Sequence, residues 1–163
     1  YNRLGQQEPI QPQKLDLRML VNEALTPHKL QLEQKKIQVR LPEKKVYWHT
    51  DRAMLLRILT NLISNAAHYG TANGVLSIQL EPLKNQLLVD VENSGPVIPD
   101  DDVPHLFEPF YQGSHKRVGA IKGSGIGLSI AQDAAQALKS ELSLHSNQEN
   151  KVCFRLALSE LST

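Results

Sequence analysis

The chain of 163 residues has a single cysteine, Cys153, so no internal disulfide framework can staple it. One thiol in the run VCFRLAL reads as a small buried apolar residue and suits a reducing compartment. Net charge is nearly absent: 18 basic residues against 17 acidic ones, distributed along the chain, give a formal +1. That balance calls for neither nucleic acid nor an anionic membrane surface as a partner. No apolar run is long enough to span a bilayer, no signal-peptide pattern is present and no segment repeats. Two phosphate-binding signatures are missing as well. A dinucleotide fingerprint needs G-x-G-x-x-G directly after a strand, and a P-loop needs Gly-Lys followed by Ser or Thr; the glycine-rich stretch here is neither.

With 40% hydrophobic residues the chain can bury one good core, which implies one domain with a short N-terminal appendage. Residues 1–14 are polar with two prolines and read as the frayed end of an upstream element followed by a linker, leaving 15–163 as the domain. From Asp16, a candidate N-cap, Leu17, Leu20, Val21, Ala24, Leu25, His28 and Leu32 recur at helical spacing up to Lys35 or Lys36, and Pro27 should kink or split that helix. IQVRL and KVYWHT alternate on either side of Pro42-Glu43-Lys44, as a short strand pair would.

The stretch from Asp51 to Gly70, DRAMLLRILTNLISNAAHYG, organises the rest. On a helix, Leu55, Leu59, Leu62, Ile63 and Ala66 gather on one side, and Arg57, Asn61, Ser64, Asn65 and His68 opposite. Asn disfavours helix interiors, and a solvated face normally carries Lys and Glu, so two Asn one turn apart cost helix stability. Such a pair serves either a ligand or a neighbouring loop. Asp51 can cap the start and Gly70 the end.

Two strands follow, GVLSIQL and QLLVDVEN; in the second, Leu87, Val89, Val91 and Asn93 share one face, so a buried polar group needing a partner stands at its end. Beyond Ser94-Gly95-Pro96 and a short helical turn around Pro99 to Leu106 comes LFEPFYQG. The segment from Gln112 to Gly125 is a long, basic, glycine-rich loop with no apolar periodicity. A helix from about Gly125 to Lys139, with Ile126, Ile130, Ala134, Ala137 and Leu138 inward, precedes strands ELSLHS and KVCFRLAL. The order suggests a two-layer α/β (α+β) sandwich, a mixed and mostly antiparallel sheet with about three helices on one face.

Glycines in Gly123-Ser124-Gly125-Ile126-Gly127-Leu128 stand where a loop enters a helix, so backbone N–H groups and the helix dipole can face an anion such as phosphate; a glycine-rich helix entry with no ligand has the same pattern. Asn65 can offer an amide oxygen to a hard cation such as Mg²⁺, and Asn61 faces the same cleft. Asn93 offers an acceptor and a donor, suited to the edge of a heterocycle. Tyr69 can pack against a base or belong to the core.

In these four places the chain resembles the catalytic, ATP-binding domain of sensor histidine kinases, within the superfamily that includes type II topoisomerases, mismatch-repair ATPases and clamp chaperones. Asn61-Leu62-Ile63-Ser64-Asn65-Ala66-Ala67-His68-Tyr69 resembles the N box, Asn93-Ser94-Gly95-Pro96-Val97-Ile98 the first glycine box, Leu106-Phe107-Glu108-Pro109-Phe110 the F box and 123–128 the second glycine box, in the family's order and spacing. The resemblance covers about Asp16 to Leu158. It implies the Bergerat fold, with an ATP cleft between the asparagine helix, the end of the second central strand and a flexible lid. Asn65 would hold Mg²⁺, Asn61 line the phosphate path, Tyr69 flank adenine and Asn93 read its amino group. Gly95, Ile98, Lys122, Gly123, Ser124, Gly125, Ile126, Gly127 and Leu128 would complete the ATP site, with Phe107 and Phe110 anchoring the lid.

Also implied are transfer of the ATP γ-phosphoryl to a histidine on an upstream dimerisation domain, a response regulator receiver domain as partner, and a cytoplasmic location within an inner-membrane sensor. Tyr1 to Gly5 would then be the last turn of that domain's second helix, and residues 1–14 its end plus a linker. This piece would be monomeric and the full-length protein a homodimer, since no histidine here resembles the phosphoacceptor motif. Several positions depart from the family pattern. Asn93 stands where Asp is usual and loses a charge-assisted bond; Val97 replaces a glycine, so its turn must avoid glycine-only conformations. His68 replaces a common Lys, which makes binding depend on pH near neutrality. Eroded together, these positions would leave a nucleotide-sensing or interaction module. A clamp-type ATPase is disfavoured because Asn61 stands where those relatives carry a Glu base, and an amide cannot take that proton.

Overall fold

The computed structural model describes residues 9–111 and 127–162. Its elements are β1 (Pro12–Asp16), α1 (Leu17–Leu25), α2 (Lys29–Gln34), β2 (Gln38–Arg40), β3 (Tyr47–Asp51), α3 (Arg52–Tyr69), β4 (Val75–Pro82), β5 (Gln86–Asn93), α4 (Gly127–Ala137), β6 (Glu141–Gln148) and β7 (Lys151–Ser159), with single 3₁₀ turns at Thr26–His28 and Val103–His105. A five-stranded sheet runs β2-β4-β5-β7-β6, antiparallel except for the β2–β4 edge. The helices cover one face, with α3 packed against α1, α4 and β5. This is the two-layer sandwich that the order of elements implies.

The 18-residue α3 is the centre of the core. Met54, Leu55, Ile58, Leu59, Leu62, Ile63, Ala66 and Ala67 are buried along it, facing Leu87, Val89 and Val91 of β5 and Val152, Phe154 and Leu156 of β7 among the core residues. Truncating a leucine or isoleucine in such a stripe to Ala typically costs about 2–5 kcal/mol. Asp51 caps the helix: its Oδ1 accepts from Met54 N–H at 2.9 Å, and its Oδ2 accepts from Gln11 N–H at 2.8 Å, so one carboxylate fixes both the helix start and the chain leading into β1.

The far end of α3 is held in a less usual way. Gly70 is extended (φ −64°, ψ 144°) and not left-handed, so the last carbonyls lack the common glycine cap. Lys35 supplies the donors from outside: Nζ donates to the carbonyls of Ala67 and His68 at 2.8 Å and of Gly70 at 3.2 Å. A cation at the negative end of the dipole is favourable, while partial burial lowers the Lys35 pKa. Gly70 is required by proximity: a Cβ there would come within 2.6 Å of Ala66 O.

Three expectations change, and the break at Pro27 holds. Residues 12–14 belong to β1, which pairs antiparallel with β3 from Pro12↔Asp51 to Asp16↔Tyr47; a polar, proline-bearing segment can still form an edge strand, where unused donors face solvent. For the same reason IQVRL and KVYWHT do not pair with each other, since β3 takes β1 and β2 lies parallel to β4. The N-terminal helix splits at Pro27 as its ring requires. In α4 the buried side is Ser129, Ala131, Ala134 and Ala135, continued by Leu138, whereas Ile130 and Ala137 are only partly covered. The small residues face α3 because alanines let two helices approach closely. The basic loop and the helix start at Gly125 and Ile126 lie outside the described residues.

On the sheet face away from the helices, Arg155 makes two hydrogen bonds to its cross-strand partner Asp90, at 2.8 and 3.0 Å. Cys153 is 2% exposed, and burial, with Asp90 and Glu92 adding negative charge, pushes its thiol up to about 12. The ordinary thiol value is 9.0, so the folded state resists ionisation. The contribution to stability is intact below pH 9 and is lost as pH climbs towards 12. At pH 8 the native thiol should react with an aromatic disulfide reagent only as fast as the chain opens, and at full rate in denaturant. Rapid stoichiometric labelling of the native protein would contradict this.

Candidate functional site

The site forms where α3 ends beside β5. Asn61 and Asn65 lie one turn apart on the side of α3 opposite its buried stripe, both partly exposed. Asn61 Nδ2 donates back to Arg57 O at 2.8 Å, which commits the nitrogen and leaves its Oδ1 as the outward group. A Cβ on Gly127, the first residue of α4, would come 3.5 Å from that Oδ1, so the helix start stands directly beside Asn61. Further along, the rings of His68 and Tyr69 meet edge to face with centroids 5.0 Å apart.

The end of β5 meets the same corner. Asn93 is buried at 6% exposure, and its Nδ2 donates to Ser94 O at 3.1 Å. Only a nitrogen can donate to that carbonyl, so the amide orientation is fixed; Oδ1 has no hydrogen-bond partner among the described residues. Ser94 binds the neighbouring chain with its remaining polar groups. Its carbonyl also accepts from Thr71 N–H at 2.8 Å, its N–H donates to Val75 O at 3.0 Å, and its Oγ accepts from Val75 N–H at 3.0 Å. A Cβ on Gly95 would lie 2.7 Å from Asn93 Nδ2 and 3.1 Å from Tyr69 O, which ties the first glycine segment to both the strand end and the helix end.

These approaches set Gly127 beside Asn61, and Gly95 beside Asn93 and Tyr69, with the two groups about two turns apart along α3. Asn65 and His68 share the α3 face, Leu128 follows Gly127, and Ile98 is buried at 2% exposure on the segment after Gly95. Val97 avoids positive φ, as a β-branched residue must. Phe107 packs edge-on against Phe154, centroids 6.1 Å apart. Phe110 has φ at +64° and is 75% exposed, and the lid it is expected to anchor lies outside the described residues. Lys122, Gly123, Ser124, Gly125 and Ile126 lie outside the described residues. Ser94 and Lys35 escaped sequence reading. Neither has a periodic signature, because each acts through backbone carbonyls distant in sequence.

Among the described residues no cluster of three or more His, Cys, Asp or Glu side chains could hold a metal by itself. The donor chemistry present is a neutral amide oxygen on Asn65, which fits a hard cation that brings most of its ligands with it.

A profile described as histidine kinase-, DNA gyrase B- and HSP90-like ATPase matches residues 50–161, and the chain belongs to that family. Within it the chain is the ATP-binding catalytic domain of the sensor histidine kinase type. Sensor histidine kinase GlrK of Escherichia coli (strain K12) is 35% identical over 158 residues, covering 97% of this chain and 33% of GlrK, so the chain spans about a third of that relative's length. Among solved structures, the Acinetobacter baumannii histidine kinase AdeS has a TM-score of 0.80 at 27% identity, covering 98% of this chain and 72% of that one. The catalytic domain of histidine kinase ThkA has a TM-score of 0.78 at 25% identity, covering 92% and 98%. ThkA has also been solved in complex with response regulator protein TrrA, at a TM-score of 0.73 and 22% identity, covering 98% and 45%. No helix among the described residues is long and apolar enough to cross a membrane.

Replacing Gly95 by Ala should push the new methyl into Asn93 Nδ2 and Tyr69 O and weaken adenine-nucleotide binding at least tenfold, with secondary structure retained. Fluorescent-ADP titration with circular dichroism checks this; unchanged affinity would show that the close approach is dispensable.

Proposed function

We propose that the chain binds Mg²⁺-ATP in the corner between α3, the end of β5 and the start of α4, and delivers the γ-phosphoryl to a histidine on a separate helical domain in two-component signalling. The observation that carries the reading is the fixed amide of Asn93: its nitrogen is held by Ser94 O, which leaves an acceptor at a buried strand end. Adenine offers an amino donor to such an acceptor, whereas guanine offers a carbonyl in that place. Tyr69, Gly95 and Ile98 would border the base, and His68 would stand toward the phosphates. Asn65 would give its oxygen to Mg²⁺, which when bound neutralises charge on the phosphate oxygens. Gly127 and Leu128, with Lys122, Gly123, Ser124, Gly125 and Ile126 before them, would receive the phosphates at the start of α4.

In the transfer, the bond from the γ-phosphorus to the bridging oxygen breaks to leave ADP, and a phosphorus–nitrogen bond forms on the acceptor imidazole, which gives up its ring proton. The chain's own part is positioning. Asn61 would line the phosphate path and, as an amide, cannot activate water, which favours transfer over hydrolysis. The acceptor would belong to the protein's own upstream dimerisation domain, with Tyr1 to Gly5 as its last turn and the residues from there to β1 as the linker. The whole protein would be a homodimer on the cytoplasmic side of an inner membrane, passing its phosphoryl group to a response regulator receiver domain, as the ThkA–TrrA complex suggests by analogy.

Calorimetry with ADP and a non-hydrolysable ATP analogue tests this. Binding should require Mg²⁺ and fall more than tenfold in Asn65→Ala, and GTP should compete at least tenfold less well than ATP. Equal competition by GTP would refute the role of Asn93. Absence of binding at millimolar nucleotide would refute the proposed function.

A further inference from the structure

After β5 the chain from Ser94 to Pro99 has neither strand nor helix, yet it holds Gly95 and Ile98 in fixed places. One side chain from the other end of the sheet grips it. Asn147 Oδ1 accepts from Ile98 N–H at 2.8 Å while Asn147 Nδ2 donates to Ile98 O at 2.9 Å. An amide that meets both polar groups of one residue acts as a one-residue strand edge. The turn after β6 adds a second point of attachment, Asn150 N–H to Gly95 O at 2.9 Å.

A break in register aims Asn147 at this segment. Along β6 the pairs Leu142↔Leu156 and Leu144↔Phe154 face the helices, so strict alternation would send residue 147 to the opposite face. The irregularity between Leu144 and Ser146 inserts one extra residue, after which Asn147 pairs with Val152. Val152 also pairs with Asn93 across β5. Asn93, Val152 and Asn147 therefore form one row over three neighbouring strands, on the face that carries the nucleotide corner. Bulges commonly re-aim a side chain in this way.

We infer that Asn147 is a positioning residue of the base pocket: it clamps the Gly95–Ile98 segment to the β6–β7 hairpin and so keeps the acceptor of Asn93 aimed at a 6-amino purine. The inference rests on the nucleotide reading above. It needs no contact between Asn147 and the nucleotide.

The test measures ADP and GDP affinity for the wild-type chain, Asn147→Ala, Asn147→Asp and a matched control, Ser140→Ala. Ser140 also makes two hydrogen bonds to backbone through one buried side chain, to Leu138 O and from Ser159 N–H, but belongs to the segment between α4 and β6. Asn147→Ala should raise the ADP dissociation constant about tenfold and narrow the preference for ADP over GDP, with Ile98 amide exchange accelerated. Asn147→Asp, equal in size, should lose at least as much, because its carboxylate faces Ile98 O. Ser140→Ala should lose thermal stability to a similar degree and keep its ADP affinity. Wild-type affinity in Asn147→Ala, wild-type behaviour in Asn147→Asp, or an equal loss in Ser140→Ala would each overturn the inference. A wild-type chain that binds neither nucleotide would remove the nucleotide reading and this inference together, whereas the variant results alone would leave that reading standing.

Discussion

The carbonyl of Ser94 accepts from Thr71 N–H and from the side chain of Asn93, while its N–H and hydroxyl are both bound to Val75. Through these bonds the residue after β5 is tied to the first residue of β4 and to the turn that leaves α3. Helix and sheet are therefore registered against each other at the very point where the candidate site lies. The other dependencies follow from that closeness. Gly70, Gly74 and Gly95 are bare because a Cβ on each would come under 3.0 Å from a neighbouring atom. Lys35 must supply from outside the donors that a left-handed glycine would otherwise provide.

The asparagine face of α3 makes sense in the same terms. Asn61 and Asn65 are poor helix residues, and the helix tolerates them because its opposite side buries eight apolar residues and both of its ends are capped by side chains. Burial sustains the helix, so the exposed face is free to carry amides chosen for chemistry. The same division holds on β5: Leu87, Val89 and Val91 secure the strand, and Asn93 at its end uses its amide nitrogen on structure, its oxygen having no hydrogen-bond partner among the described residues.

Much of this was legible from the chain. The period of α3, the caps at Asp16 and Asp51, the break at Pro27 and the buried row ending in Asn93 follow from side-chain spacing and from what proline and aspartate do locally. Pairings between distant segments were not legible. Pro12–Asp16 lacks the alternation of a half-buried strand because it lies in a two-stranded ribbon, and β2 shows only three residues of a parallel edge. Lys35, Ser94 and Asn147 were invisible for a related reason: each acts on backbone groups, which every residue has, and the geometry that selects them is created by the fold. The rotation of α4 follows from a competition that pattern cannot judge, since close packing on α3 favours alanine over the larger Ile130.

The account stands on one corner of the molecule, and an amide-resolved titration with ADP and Mg²⁺ addresses it directly. Chemical-shift changes in the ¹⁵N spectrum should concentrate at 61–71, at 93–98 and at the first turn of α4, leaving β1, β3 and α1 unmoved. Shifts centred on the β1–β3 ribbon, or spread evenly with no cluster at the Ser94 junction, would contradict it.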